Sequence, residues 1–183
     1  PIYHDFNPSD FINSLQSIIK TPQLKQFFPE NTFTLSTSSF FAHSRASLKI
    51  QDGCNNNCSY CAIHLARGKS VSLDVKTALE RVLELENKGF DEVVLTSVNI
   101  GQYKGAFESE YFDFTKLLRY FLDNTKKIHF RISSIYPEVV NDDFCDVIKS
   151  SRVQPHFHIS VQSGSNRILK LMNRHYSKED VII

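Results

Sequence analysis

The sequence lacks three features that would assign it to a membrane, secreted or strongly nucleic-acid-binding class. No apolar run approaches the roughly 20 residues that a membrane-spanning helix needs, and no signal-peptide pattern opens the chain. The formal net charge is only +1, which is no basic signature. With 183 residues, 41% of them hydrophobic, the chain has the size and apolar content of about one domain. We expect it to be cytoplasmic and to make no membrane contact.

Cysteine is also scarce, but three of the four cysteines are clustered. Cys54, Cys58 and Cys61 have the spacing C-x3-C-x2-C, directly after a strand-like run. A disulfide is not expected, because three neighbouring cysteines cannot all pair with one another. The spacing suits three thiolates that hold one 4Fe–4S cluster, which usually takes four cysteines. Three ligands leave one iron open to a substrate or cofactor, as at catalytic zinc sites.

A zinc site is the main alternative for this loop. His64 lies three residues after Cys61, so Cys54, Cys58, Cys61 and His64 would form a closed Cys3His site. The chain would then be a non-enzymatic zinc-binding module. The fourth cysteine, Cys145, is most simply a small core residue of a helix.

Strand-like and helix-like segments alternate along most of the chain, which predicts an α/β fold with about four parallel βα units. The predicted strands are 45–51, 91–96, 128–134 and 156–162, and the first helix is predicted over 74–88. The alternation implies a parallel sheet, either open or closing into a barrel. The apolar positions predicted for the four helices are Val75, Leu79, Val82 and Leu83; Phe114, Leu117, Leu118, Phe121 and Leu122; Val140, Phe144, Val147 and Ile148, after an opening Pro137; and Ile168, Leu169 and Met172.

Three of the predicted strands alternate between apolar and polar residues. In the first, Leu48 and Ile50 point to one face, whereas Lys49 and Gln51 point to the other. Strands of a buried parallel sheet are usually apolar on both faces. We therefore expect one face to pack on the helices and the other to line a polar ligand cavity. The cysteines would lie at the carboxyl-end rim, where such folds bind ligands.

Both ends of the chain depart from the βα rhythm. Residues 1–43 predict an N-terminal helix, beginning near Asn7, and a polar linker over 31–39 that follows a preceding, absent domain. Residues 44–183 would be the N-terminal part of the barrel. A capping box at 177–180 begins a helix in which the chain stops at Ile183. We therefore expect a fragment of a longer protein.

Several segments, in the same order along the chain, resemble the radical S-adenosylmethionine (SAM) methylthiotransferases. They are 49–61 with 67–68 after it, 95–101, 158–165 and 172–176. The segment 131–134, followed by Pro137, most resembles the MtaB-type branch, which acts on threonylcarbamoyladenosine next to the tRNA anticodon. Sister branches act on isopentenyladenosine in tRNA or on a ribosomal protein. The resemblance implies a partial (β/α) radical SAM barrel in a fragment of a tRNA methylthiotransferase.

The resemblance also implies roles for ten residues. Cys54, Cys58 and Cys61 would hold the 4Fe–4S cluster, whose open iron binds the amino and carboxylate groups of SAM. The other seven residues would contact SAM or the substrate. Residues of their types are also common at polar strand ends and on solvated helix faces, so a purely structural role is the alternative for each of them. The implied contacts to SAM or substrate are Tyr60 near the adenine, Thr96, Ser97 and Asn99 near the amino group, Ser133 and Gln162 in the cavity, and Arg174 at a carboxylate.

The implied reaction needs an electron, from a donor such as flavodoxin or ferredoxin, and a sulfur source. SAM is cleaved to methionine and a 5′-deoxyadenosyl radical, which removes hydrogen from an adenine carbon that then receives a methylthio group. The family carries a second 4Fe–4S cluster in an N-terminal domain with three further cysteines. Residues 1–43 contain no cysteine, so we expect that cluster outside this chain and no methylthiolation by the chain alone.

The sequence departs from the family pattern at three positions. His64 replaces a common proline, Ser97 a common glycine and Val71 a frequent arginine. The change at Ser97 matters most, because a small residue there lets the amino-acid part of SAM approach the backbone. Serine is only slightly larger than glycine.

Overall fold

The computed structural model describes Phe33 and residues 45–181. Contacts divide the chain into two compact units, Pro1–Thr34 and Leu35–Ile183. The predicted N-terminal helix and the linker over 31–39 lie outside the described residues, except for Phe33, which is buried. The sheet, the helices and the candidate site described below all belong to the second unit.

Strands and helices alternate through the second unit, together with two short 3-10 helices. In chain order the elements are β1 (Ala46–Lys49), β2 (Gln51–Asp52), α1 (Ile63–Arg67), β3 (Val71–Ser72), α2 (Val75–Asn87), β4 (Glu92–Thr96), a 3-10 helix (Ile100–Gln102), β5 (Gly105–Phe107), β6 (Glu110–Phe112), α3 (Phe114–Asn124), β7 (His129–Ile132), β8 (Ser134–Ile135), a 3-10 helix (Pro137–Val139), α4 (Asp142–Val147), β9 (His158–Ile159) and α5 (Asn166–Leu171).

The main sheet consists of three parallel strands in the order β1-β4-β7. Leu48 of β1 pairs with Leu95 of β4, and Leu95 pairs with Ile132 of β7. These three side chains are buried. Because residues two apart share a face, they belong to the apolar face that the helices cover. The predicted α/β fold with a parallel sheet is therefore confirmed.

The two long helices begin at aspartate caps that the sequence supplies. Asp74 accepts a hydrogen bond from the Thr77 N–H at the start of α2, and Asp113 accepts one from the Lys116 N–H at the start of α3, both at 2.8 Å. Gly89, with φ of +83°, follows the end of α2 as a left-handed stop. The helix predicted over 74–88 is thus confirmed as Val75–Asn87.

The buried stripe of α2 differs from the predicted one. Val75 and Val82 are buried as expected, but Ala78 and Leu85 share their stripe. Leu79 and Leu83 are only half-buried. The observed stripe recurs at three and then four residues, so it follows the helical repeat more closely than the predicted set does. The apolar stripe of α3 is confirmed at its first four positions, and Phe121 stacks on Phe130 with ring centroids 5.6 Å apart.

The first predicted strand is interrupted at Ile50. The Ile50 N–H donates to the Thr96 carbonyl of β4, whereas the Ile50 carbonyl accepts from the Leu73 N–H. The chain therefore changes partner at this residue, and β2 then pairs with β3 in antiparallel fashion. The third predicted strand is likewise divided at Ser133 into β7 and β8.

The fourth predicted strand, 156–162, is reduced to the two residues of β9. It pairs in parallel with β8, and Val153 forms a separate parallel bridge with Phe130 of β7. Residues 153–159 thus pair with β7 and β8 at two separate points and do not form one continuous strand. The alternation of the fourth predicted strand placed Ile159 on the apolar face that packs on the helices. Ile159 is 41% exposed, so this part of the prediction is wrong.

Two further predictions for the local structure are corrected. Pro137 opens a 3-10 helix, and α4 begins later, where Asn141 accepts a hydrogen bond from the Phe144 N–H at 2.9 Å. Val140 therefore lies between the two helices instead of on the predicted stripe. The hairpin of β5 and β6 was not predicted from the sequence. Phe107 of β5 packs on Phe112 of β6, with ring centroids 4.9 Å apart.

None of the helices in the described part of the chain has both the length and the apolar character that crossing a membrane requires.

Glu86, near the end of α2, holds the segment that leads into β7. Its Oε1 accepts hydrogen bonds from the N–H groups of Lys126, Lys127 and Ile128 at 2.9, 2.6 and 3.0 Å. Burial by itself raises the pKa of Glu86, but the three backbone donors and the charge of Arg152 bring this pKa below its ordinary value. The carboxylate therefore connects α2 to β7 in its charged form.

Glu86→Ala should lower the free energy of unfolding by about 1–2 kcal/mol near neutral pH, because three N–H groups lose their acceptor. Solvent around the carboxylate keeps the loss at the low end of the range. Because folding lowers the pKa of Glu86, its contribution is complete above the ordinary value of 4.5 and disappears as the pH falls through the lower folded-state value.

Urea denaturation at about pH 7 and about pH 3 measures this difference. Glu80→Ala, which changes an exposed carboxylate of the same helix, is the matched control and should change stability by less than about 0.5 kcal/mol. An equal loss for Glu86→Ala at both pH values would contradict the role of its charge.

Candidate functional site

The three clustered cysteines lie on one loop, residues 53–62, which follows β2. We call it the cysteine loop. Cys54 and Cys58 are 6% and 5% exposed, and Cys61 is half-buried. The loop follows β1 and β2, and β1 is paired in parallel with β4, so it lies at the carboxyl-end rim of the sheet. The predicted position of the cysteines at this rim is therefore confirmed.

Gly53 allows the loop to leave the sheet. Its φ is +70°, and a Cβ at this position would lie 2.1 Å from the carbonyl oxygen of Lys69. The next residue, Cys54, donates its N–H to the Gly68 carbonyl at 3.1 Å. Only glycine combines this left-handed backbone with so close an approach.

Gln51 joins the base of the cysteine loop to the end of β4. Its Nε2 donates to the Gly53 carbonyl at 2.7 Å and to Ser70 Oγ at 2.8 Å. Its Oε1 accepts from the N–H groups of Val98 and Asn99 at 3.0 and 2.9 Å. The side chain is fully buried. The sequence predicted only that Gln51 is polar and faces the cavity, because its partners are distant in the chain.

Asp52 forms an ionic centre beneath the loop. Its carboxylate accepts from Lys49 Nζ at 2.8 Å, from Arg67 Nε at 3.0 Å and from the Gly53 N–H at 2.8 Å. Burial by itself raises the pKa of Asp52, but the hydrogen bonds from Lys49 and Gly53 and the charges of Lys49 and Arg67 bring this pKa below its ordinary value. The buried carboxylate therefore stays charged and ties α1 to the loop base.

Gln102, in the 3-10 helix after β4, holds the first half of the cysteine loop. Its Oε1 accepts from the Asn55 N–H, and its Nε2 donates to Asn56 Oδ1, both at 2.9 Å. Asn55 Oδ1 also accepts from the Ser70 N–H at 3.0 Å. The asparagines between Cys54 and Cys58 thus serve as hydrogen-bonding partners for neighbouring segments.

The second half of the loop contacts the end of α5. The Ser59 N–H and Ser59 Oγ donate to the Met172 and Leu171 carbonyls at 3.2 and 2.8 Å. Asn173 Nδ2 donates to the Asn57 carbonyl at 2.9 Å. The sequence motif 172–176 therefore has a structural role at the cysteine loop.

Four of the predicted SAM contacts have buried polar atoms without a hydrogen-bond partner in the described part of the chain. They are Ser97 Oγ and Asn99 Oδ1, just after β4, Ser133 Oγ, between β7 and β8, and Arg174 Nε and Nη1, after α5. Asn99 is 3% exposed, and its Nδ2 lies 3.9 Å from Cys54 Sγ. An unpaired buried polar atom costs free energy, so these atoms indicate a site that a polar ligand completes.

Arg174 lies among three tyrosines. Its Cζ is 4.8 Å from the ring centroid of Tyr136, 5.7 Å from that of Tyr60 and 5.9 Å from that of Tyr176. Its Nη2 donates to Tyr60 Oη, whereas Nε and Nη1 are buried and have no hydrogen-bond partner in the part of the chain that the structure describes. The sequence predicted Tyr60 and Arg174 but assigned no role to Tyr136 or Tyr176.

The guanidinium of Arg174 remains a cation. Burial by itself lowers the pKa of Arg174, but hydrogen bonds with Tyr136 and Tyr60 and the thiol of Cys58 raise it above its ordinary value. Burial raises the pKa of the Cys58 thiol, Arg174 opposes that rise, and the neighbouring Cys61 and Cys54 add to it. Binding a metal centre as thiolates would therefore release protons.

Two predicted contacts, Thr96 and Gln162, have no unpaired buried polar atom among the described residues. Thr96 is the last residue of β4 and is half-buried. Gln162 follows β9, is exposed and has a φ of +66°. Their contacts with a cofactor stay predictions.

Two cavities adjoin residues of the site. One of about 470 Å³ is lined by Cys54 and His64, and another of about 230 Å³ is lined by Asn56, Asn99 and Tyr136. No three His, Cys, Asp or Glu side chains in the described part of the chain lie close enough together to hold a single metal ion. The donor set consists of three thiols together with buried polar atoms of Ser97, Asn99 and Ser133 that have no partner among the described residues. Thiols and polar side chains are the groups that a 4Fe–4S cluster with a polar cofactor would use.

Known proteins resemble most of this chain. It is 49% identical over 149 residues to the threonylcarbamoyladenosine tRNA methylthiotransferase MtaB of Treponema pallidum, which is 81% of this chain and 30% of that protein. It is 38% identical over 138 residues to a tRNA-2-methylthio-N(6)-dimethylallyladenosine synthase of Phocaeicola vulgatus, again 30% of that protein. The chain thus spans about a third of the length of the curated relatives it matches.

A solved structure supports the fold. The radical SAM methyltransferase TsrM from Kitasatospora setae, with tryptophan and a SAM analogue bound, matches 75% of this chain and 26% of its own, with a TM-score of 0.60 and 13% identity. At this identity the likeness concerns the fold alone, and it supports a partial radical SAM fold. Because the model of the Radical SAM superfamily matches residues 48–182, the chain belongs to that superfamily.

Proposed function

We propose that the chain is part of a tRNA methylthiotransferase that acts on threonylcarbamoyladenosine. The observation that carries the proposal is the set of unpaired buried polar atoms on Ser97, Asn99, Ser133 and Arg174, grouped with the cysteine loop at the rim of the sheet. Polar atoms that are unpaired in the ligand-free chain mark the place of a polar ligand. The similarity to the MtaB enzymes supports the choice of substrate.

Cys54, Cys58 and Cys61 would hold a 4Fe–4S cluster, and its open iron would face SAM. When bound, the two groups supply one-electron cleavage of SAM and removal of hydrogen from an adenine carbon. Ser97, Asn99 and Ser133 would bind and orient the cofactor through their unpaired atoms. Tyr60, Thr96 and Gln162 are its further proposed contacts.

Arg174 would pair with an anionic group in the same site. Its Nε and Nη1 donors have no hydrogen-bond partner within the described residues, and its planar guanidinium suits two parallel hydrogen bonds to a carboxylate. The three tyrosine rings around it limit the orientations of the guanidinium. The carboxylate of SAM is the proposed partner.

The remaining parts of the proposed system come from outside the residues described here. They are the tRNA substrate, an electron donor such as flavodoxin or ferredoxin, and a second 4Fe–4S cluster that would provide sulfur. The cytoplasm is the proposed location of the reaction, because the proposed substrate is a tRNA.

Two other functions have an observation in their favour. The similarity to the dimethylallyladenosine synthase favours a sister enzyme that acts on that nucleoside. His64 favours a zinc module, because its buried Nδ1 has no partner among the residues that the structure describes and it lines a cavity together with Cys54. The first two experiments below distinguish these functions.

Deleting the gene should remove 2-methylthio-N6-threonylcarbamoyladenosine from cellular tRNA. Mass spectrometry of tRNA nucleosides measures this, and the unmethylthiolated threonylcarbamoyladenosine should accumulate instead. The dimethylallyl nucleoside serves as the internal control and should keep its methylthio group. Loss of the methylthio group from that nucleoside alone would favour the sister function.

Cys58→Ala should abolish uptake of iron during anaerobic reconstitution with iron and sulfide. The unchanged chain should bind about four irons and absorb broadly near ~400 nm, as cysteine-held clusters do. Cys145→Ala, outside the cysteine loop, is the matched control and should retain the iron. Full iron content in Cys58→Ala would remove this residue from the ligands, and a stoichiometric zinc that resists replacement would favour the zinc module.

Ser133→Ala should weaken SAM binding about three- to tenfold, the effect of one lost hydrogen bond. It should leave the stability of the ligand-free chain unchanged or slightly higher, because it removes a buried hydroxyl that has no partner. Titration calorimetry of the reconstituted protein gives the Kd, and thermal unfolding gives the stability. Ser109→Ala, in the exposed turn between β5 and β6, should change neither quantity. A less stable chain with normal SAM affinity would show that Ser133 is only structural.

A further inference from the structure

We propose that the segment 171–174 holds the cysteine loop in the shape that retains the cluster, and that Asn173 is the positioning residue of this contact. The inference rests on the proposed role of the three cysteines as cluster ligands. It assigns a task to a segment more than 100 residues from the cysteines, since Asn173 and Asn57 are 116 positions apart.

The end of α5 leaves two backbone carbonyls available to the cysteine loop. Asn173 has a φ of +56°, and its N–H donates to the Lys170 carbonyl, while the Arg174 N–H donates to the Leu169 carbonyl. This pair of hydrogen bonds around a left-handed residue is a Schellman motif. The carbonyls of Leu171 and Met172 are left outside the motif.

Ser59 of the cysteine loop uses both of these carbonyls. Its hydroxyl donates to the Leu171 carbonyl and its N–H donates to the Met172 carbonyl. Helix ends need partners for their last carbonyls, and here the loop supplies them. The helix end and the loop therefore stabilise each other.

Asn173 adds a contact that depends on its side-chain chemistry. Its Nδ2 donates to the Asn57 carbonyl at 2.9 Å, just before Cys58. Asparagine is one of the few residues other than glycine that adopt the left-handed conformation readily. The same residue can thus turn the backbone out of α5 and donate a hydrogen bond to the loop.

The segment 171–174 is itself held in place by the buried residues on either side of it in the chain. Leu169 of α5 is buried, and the buried Tyr176 donates its hydroxyl to the carbonyls of Ser160 and Val161 at 2.8 and 3.0 Å. Arg174 lies between these anchors and donates to Tyr60 Oη. The cysteine loop therefore contacts a supported surface on the side of Asn57 to Tyr60.

The consequence concerns the positions of the sulfurs. Gln102 holds the loop between Cys54 and Cys58, and the segment 171–174 holds it around Cys58. If the second support is weakened, the loop gains alternative conformations in which the three sulfurs no longer match the cluster. Iron should then be lost faster although the fold persists.

The test compares two variants of Asn173 with a matched control. Asn173→Asp keeps the size but places an acceptor opposite the Asn57 carbonyl. Asn173→Gly removes the donor and tolerates the left-handed backbone. The control is Glu108→Gly in the β5–β6 turn, where φ is +51° and the residue is exposed.

Three measurements are made on the 183-residue chain. Amide hydrogen exchange at Ser59 in the metal-free chain should be about three- to tenfold faster in both Asn173 variants, the effect of one lost hydrogen bond. Release of iron from the reconstituted chain to a chelator should accelerate by a similar factor. The EPR spectrum of the oxidised samples should show conversion to a three-iron form earlier than in the unchanged chain. Glu108→Gly should match the unchanged chain in all three.

The outcomes separate this inference from the proposed function. Failure of the unchanged chain to take up iron would overturn the proposed cluster and with it the retention of iron by Asn173. Normal iron uptake with unchanged release and unchanged Ser59 exchange in both variants would overturn the role of Asn173 alone. Global unfolding of both variants, with a folded Glu108→Gly, would make Asn173 a residue of the fold and would also overturn it.

Discussion

The buried amide of Gln51 is the interaction on which the rest of the site depends. It donates toward the cysteine loop and accepts from the N–H groups after β4, so one side chain fixes the relative positions of the cysteines and of Asn99. An amide is suited to this place because it has both donors and acceptors and carries no charge that burial would penalise. Asp52, the next residue, is charged and buried, and it therefore needs Lys49, Arg67 and the Gly53 N–H around it.

The site combines buried polar residues that have hydrogen-bond partners with buried polar atoms that have none in the described part of the chain. Beneath the cysteine loop, Gln51, Asp52 and Gln102 all have hydrogen-bond partners among the described residues. Ser97, Asn99, Ser133 and Arg174 keep buried polar atoms that have no partner among the described residues. Gln51, Asp52 and Gln102 give the loop its shape, and a polar ligand that paired with the unpaired atoms would remove the free-energy cost of burying them. This division is expected of a binding site whose geometry exists before the ligand arrives.

The position of the cysteine loop in the fold agrees with the membership of the chain in the radical SAM superfamily. The cysteine loop lies at the carboxyl ends of parallel strands, where loops can vary without disturbing the sheet. Its two halves are held by two segments that both follow it in the chain, Gln102 after β4 and the end of α5. Support from distant segments restricts the conformations of a short, asparagine-rich loop more than local contacts alone would.

The sequence by itself determined the features that depend on near neighbours in the chain. The cysteine spacing, the aspartate caps of α2 and α3 and the apolar repeat of α3 are local, and the resemblance added Ser97, Asn99, Ser133, Tyr60 and Arg174 as candidate contacts. Only the tertiary structure decided the rest. The strand breaks at Ile50 and Ser133 and the roles of Gln51, Gln102 and Asn173 depend on hydrogen-bond partners far away in the chain. Residue type limits which bonds a side chain can make, but the folded chain selects which partner it meets.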